Sequence, residues 1–185
     1  MEKERKVFKL QGRVQHYAWG GADYLPGLLS VDNREHKPFA EYWMGAHENA
    51  PAVLEGVEGG DYKVSGVLNG AVVSGNVVGG FPLSEYLKER PVERLGPYTA
   101  ERFGRLPYLL KILDVKDMLS IQVHPSKTSA EHEFAAENKR GVALNAADRN
   151  YKDDNHKPEL MAALSEFWLL HGFKPEEELD RKSVV

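Results

Sequence analysis

The chain has 185 residues, 42% of them hydrophobic and 28% charged, enough for one ordinary globular domain with a buried core. A net charge of -4 and a pI near 6.0 supply no general field for polyanions, so no nucleic-acid partner is expected. The lack of cysteine excludes disulfides, a thiolate nucleophile and thiolate metal sites, and leaves His, carboxylate and amide oxygen as metal donors. The charged start, Met1 to Lys6, is followed by no long apolar run, which predicts no secretory signal, no membrane span and a cytoplasmic location.

Val7 to Trp19 and Phe39 to His47 are short runs rich in Val, Phe, Tyr and Trp between Gly, Pro and Asn clusters, the pattern of strands broken by turns. Asp61 to Phe81 carries valine pairs separated by Gly, Ser and Asn and is read as a hairpin or loop with glycines at its bends. Pro82 to Arg90 places Leu83, Tyr86 and Leu87 at helical spacing, and Pro91 stops that helix. Leu106 to Val115 is an apolar run interrupted by Lys111, and Met118 to His124 alternates, which predicts two strands joined near Lys116 and Asp117. Thr128 to Glu131 fits a capping box for a helix reaching about Lys139. A polar loop from Asn145 to Asn155 follows, then strands over Pro158 to Ala163 and Glu166 to Phe173, and a new helix from Lys174.

Chemistry concentrates in two of these segments. In Met118–His124 the period of two puts Leu119, Ile121 and Val123 on one face and Ser120, Gln122 and His124 on the other. Residues two apart on a strand lie about 6.6 Å apart and point the same way, so Gln122 and His124 can converge on one ion. A Gln-x-His on a strand is, taken by itself, more often a solvated polar face than a metal site. In Asn155-His-Lys-Pro-Glu159, Pro158 biases Lys157 toward an extended backbone, and Glu159 shares a face with Met161 and Ala163. Zinc accepts His nitrogen, carboxylate oxygen and, less commonly, a neutral amide oxygen; such a set leaves positive charge to polarise substrate oxygens.

Lys111 interrupts an apolar strand, where an unpaired charge is costly, so it reaches a cleft or snorkels at a strand edge. Ser120 can bond a substrate or a neighbouring backbone group. Lys157 can act as a base or bond a sugar hydroxyl, and His156, beside Asp153 and Asp154, is either a proton-transfer group or a surface ion partner. Trp19 and Trp43 are read as core by type; His47, Glu48 and His171 are read as structural. His132-Glu133 lacks the second histidine of a zinc-protease motif.

Five stretches, Gln15–Gly20, Ala40–His47, Leu106–Leu113, Leu119–Lys127 and Asp154–Glu159, together resemble type I mannose-6-phosphate isomerase in order and approximate spacing. The resemblance runs from about Gln11 to Pro175. It implies a mainly β fold with a few helices, a cupin-like jelly roll (RmlC-like) incomplete at the C-terminus. Residues 1–175 are then the N-terminal portion of the cupin-type catalytic domain, and 176–185 the truncated start of a helical segment. The implied activity is zinc-dependent aldose–ketose isomerisation of mannose 6-phosphate and fructose 6-phosphate through a cis-enediol, feeding GDP-mannose metabolism. A metal- or sugar-phosphate-binding module without turnover, or an inactive fragment, is the alternative. By position, Gln122, His124 and Glu159 resemble three of four ligands of one Zn(2+) per chain, the fourth being a histidine beyond Val185. Trp19, Lys111, Ser120 and Lys157 resemble residues lining the pocket for the small-molecule sugar phosphate. The family's chains are expected to be about twice this length, the remainder carrying the last ligand, most of a helical domain and an arginine implicated in catalysis.

Overall fold

A computed structural model describes residues 7–55, 80–118, 124–146, 148–168 and 172, and the backbone of 62–68 and 71–77. It comprises two units, 1–117 and 118–185.

The first unit is built on antiparallel sheets. β1 (Lys9–Gln11), β4 (Val53–Glu55) and β7 (Gly80–Pro82) form one three-stranded sheet in the order β1-β4-β7. β2 (Arg13–Gln15), β3 (Glu41–Met44) and β8 (Leu110–Leu113) form a second in the order β2-β3-β8. The mainly β expectation for this stretch holds, with Val53, Leu54, Phe39, Ala40, Phe81 and Leu25 supplying the buried apolar residues. β5 (Tyr62–Leu68) and β6 (Ala71–Val77) pair as a hairpin. Gly66 and Gly75 lie within its ladder, opposite Val73 and Val64, and not at bends as expected from their spacing.

Four short helices join the strands. α1 (Tyr24–Leu29), between the two strand-like runs read from the sequence, ends at Ser30 in the left-handed conformation. α2 (Leu83–Glu89) occupies the expected segment. Pro91 does end it, and at once opens α3 (Pro91–Leu95); Pro97 opens α4 (Pro97–Phe103). Both prolines sit at the start of a helix, where a missing N–H costs nothing. No helix among the described residues is long and apolar enough to cross a membrane.

In the second unit α5 (Lys127–Lys139) ends at the expected residue but is capped two residues earlier than expected. Ser126, not Thr128, is the N-cap, and its Oγ accepts the Ser129 N–H at 3.1 Å. Ser126 has extended backbone (ψ 163°), the geometry a cap needs, while Thr128 lies inside the helix. Residues 145–155 carry no helix or strand where described, as expected. Residues 158–163 do not form the expected strand: none of them pairs with another of the described residues, and Leu160 is fully exposed. Alternation makes a strand only where a second backbone supplies the ladder. The expected strand over Met118–His124 lies almost wholly outside the described residues, as do half of Glu166–Phe173 and the helix from Lys174.

Candidate metal and substrate site

His124 and Glu159 come together although they are distant in sequence. His124 Nε2 stands 3.8 Å from Glu159 Oε2, each side chain a little under half exposed. A tetrahedral zinc with bonds of about 2.0–2.1 Å sets two ligand atoms about 3.3–3.4 Å apart, so the pair is within half an ångström or so of chelating spacing. The donor chemistry, one imidazole and one carboxylate, also suits zinc. Gln122 and Ser120 lie outside the described residues, and among those described no cluster of three His, Asp or Glu surrounds an ion position.

The segment before Glu159 is organised by its own polar groups. Asp153 Oδ1 accepts the Asn155 N–H at 2.9 Å, and its carboxylate pairs with Lys157 Nζ at 3.2 Å. Asp154 stands near Lys127. The two carboxylates expected to flank His156 as surface ion partners are therefore both engaged by lysines. His156 Nδ1 is buried and has no hydrogen-bond partner among the described residues, an expensive state for a ring nitrogen unless a ligand or water satisfies it.

α5 supports this segment from the other side. Glu137 and Arg149 are both buried, with Arg149 Nε 3.7 Å from Glu137 Oε2. Glu137 accepts the backbone N–H groups of Tyr151 at 2.8 Å and Asn150 at 3.1 Å. Arg149 donates to the carbonyls of Tyr151 and Val142 and to Asn138 Oδ1, and lies over the Phe134 ring. The Tyr151 N–H, followed by the Asn150 N–H and the guanidinium charges of Arg149 and Arg140, holds the Glu137 carboxyl below its ordinary range against the opposing effect of burial.

In the first unit the sheet β2-β3-β8 collects the other candidates. Lys111 sits opposite Trp43 on β8 and β3, its Nζ 3.8 Å from Glu41 Oε2 and over the Trp43 ring, 5.6 Å from the centroid. Lys111 is thus neither isolated nor merely snorkelling. Glu41 is buried and also accepts the Trp43 indole N–H. Its charge reinforces burial in pushing the Tyr17 phenol upward. Sequence reasoning missed Glu41, because Glu-x-Trp alone resembles a solvated strand face and only the Trp43–Lys111 register reveals its role. Trp19 is half-buried, not core; its ring stacks on Tyr17 at 5.6 Å and its carbonyl accepts the N–H groups of Lys116 and Asp117. The His47 ring lies tilted against Trp43, 4.8 Å between centroids, and accepts the Asn49 N–H, and Glu48 pairs with Lys88. His171 lies outside the described residues.

Comparison with known proteins identifies the family of the chain. Residues 7–176 match the family model described as phosphomannose isomerase type I, catalytic domain. Mannose-6-phosphate isomerase of Salmonella typhimurium is 40% identical over 166 residues, covering 90% of this chain and 38% of its own length. The Escherichia coli K12 protein of the same name is 40% identical over 171 residues, covering 92% of this chain and 39% of its own length. A mannose 6-phosphate isomerase structure bound with zinc and yttrium superposes with a TM-score of 0.62 at 37% identity, over 80% of this chain and 33% of that one. The Salmonella typhimurium enzyme bound to substrate (f6p) and zinc gives 0.62 at 38% identity, over 81% and 33%. The mainly β architecture is that of these cupin-like structures. The chain spans under two-fifths of the length of these relatives, a larger shortfall than the twofold expected. With a family model matched over nearly all its length and relatives of like name at 40% identity, the chain belongs to the type I phosphomannose isomerase family, in its catalytic domain.

Proposed function

We propose that this chain is the metal-holding portion of a zinc-dependent isomerase that interconverts mannose 6-phosphate and fructose 6-phosphate in the cytoplasm, supplying GDP-mannose metabolism. The convergence of His124 and Glu159 to 3.8 Å, in a chain of this family, is the observation that carries the reading. Gln122, His124 and Glu159 would hold one Zn(2+), with a fourth ligand from sequence following Val185. When bound, the ion supplies positive charge for the substrate oxygens as negative charge builds on them.

Moving a carbonyl between C1 and C2 needs a proton to leave one carbon and return to its neighbour through a cis-enediol. Lys157, oriented by Asp153, and His156, with its buried unsatisfied nitrogen, are the candidate groups for that transfer. Trp19, Lys111 and Ser120 are the candidate substrate-lining residues. Residues 1–175 belong to the catalytic domain on this reading, with 176–185 beginning a helical segment.

The test is a coupled isomerase assay and metal analysis on the complete gene product. The expected result is zinc retained through dialysis and zinc-dependent conversion of mannose 6-phosphate, both lost in Glu159→Ala. Zinc retained without conversion would leave a binding module, and no metal in either protein would refute the site.

A further inference from the structure

Lys127 begins α5 three residues after His124, and its ammonium donates to the main-chain carbonyl of Asp154 at 2.9 Å, 27 residues away. Asp154 lies five residues before Glu159, in the segment that delivers that carboxylate. The same ammonium meets Glu131 at 3.2 Å on its own helix and the Asp154 carboxylate at 3.8 Å. Charge balance alone would be met by Glu131. A bond to a neutral carbonyl across the unit does something different: it fixes the distance between two backbones.

The rest of the segment is already secured. Its upstream end is clasped by the buried Glu137–Arg149 pair, and residues 153–157 are turned by the Asp153–Asn155 bond. Lys127 links a position three residues from His124 to one five residues from Glu159. We propose that Lys127 is a positioning residue for the metal site, its ammonium pinning the Asp154 carbonyl to the first turn of α5 so that Glu159 meets His124 at chelating distance. This rests on the zinc reading of that pair.

Electrostatics alone makes the opposite prediction, which separates the two. Removing a positive charge near a cation site should strengthen binding of a divalent ion, whereas loosening a supporting bond should weaken it, by about 10- to 100-fold for partners that orient ligands. The test compares wild type, Lys127→Met, Lys127→Arg and, as an equal charge change on the same helix, Lys139→Met, all in the complete gene product. Zinc affinity is measured by chelator competition, melting temperature on the metal-free proteins, and amide hydrogen exchange at residues 154–157.

Lys127→Met should bind zinc about 10-fold or more weakly. Its metal-free melting temperature should move by a few degrees at most. Lys127→Arg should recover most of the affinity, and Lys139→Met should keep it. Affinity of Lys127→Met equal to or tighter than wild type would overturn the proposal. If wild type itself holds no zinc, the metal reading fails; exchange at Asn155 and His156 in metal-free Lys127→Met then still tests the brace, unchanged rates overturning it and accelerated rates supporting it.

Discussion

One substitution, glycine to alanine, should have opposite effects at two positions of the first unit. A Cβ on Gly20 would lie 2.5 Å from both Cα and N of Ala40 and 2.7 Å from its Cβ. Ala40 cannot recede: it is fully buried, its N–H donates to the Gln15 carbonyl at 2.8 Å, and its carbonyl accepts the Asp114 N–H at 2.9 Å. Forced overpacking of this kind costs about 1–3 kcal/mol. Gly27, inside α1, has nothing within 4 Å of the position a Cβ would take, so Gly27→Ala should gain about 0.4–1 kcal/mol by restricting the unfolded chain. At about 4 °C per kcal/mol for a unit of this size, Gly20→Ala should lower the melting temperature by about 4–12 °C and Gly27→Ala should raise it by about 2–4 °C. Circular dichroism melts of both variants read this directly. Because Trp19 adjoins Gly20, its fluorescence should shift in the first variant alone. A Gly20→Ala protein melting within about 1 °C of wild type, or two shifts of the same sign, would refute the close approach on which the reasoning stands.

Two further outcomes follow from α5. Ser126→Ala removes the acceptor for the Ser129 N–H and should cost about 1 kcal/mol, read as a lower urea midpoint at unchanged slope, with Ser126→Asp retaining most of the stability. Glu137 titrates below its ordinary value in the folded protein, so the stability it adds is fully present above the unfolded value of about 4.3 and is lost as pH falls through the folded value. The stability difference between wild type and Glu137→Gln should accordingly be constant above about pH 5 and shrink in more acid solution, and a difference that stayed flat through that range would show that the carboxylate is not held ionised.

Local patterns revealed those elements whose cause is local. Tyr86 and Leu87 at helical spacing, the valine-rich hairpin and the end of α5 were all legible. α3 and α4 carry a signature too, proline at the start and glycine just past the end, at Pro91 and Gly96 and at Pro97 and Gly104, but each is very short, and Pro91 was read only as a stop. β4 is three residues whose identity as a strand depends on β1 and β7. His124 and Glu159 were singled out by the resemblance of several separated stretches to one family, not by spacing alone, and the fold sets them 3.8 Å apart. Glu41 beneath Lys111, and Arg149 against Glu137, were not legible, since each depends on a register or a loop closure that only the folded chain determines.

The clasp on α5 also bears on how this unit reaches its final state. Bringing distant residues together costs chain entropy that grows with the logarithm of the separation. The bonds of Glu137 to Asn150 and Tyr151 close loops of 13 and 14 residues, and the bond of Lys127 to Asp154 closes one of 27. If the shorter closures form first on a helix already begun, most of the longer loop is shortened before Lys127 reaches its carbonyl, and the approach of Glu159 to His124 becomes the last small step of a staged search.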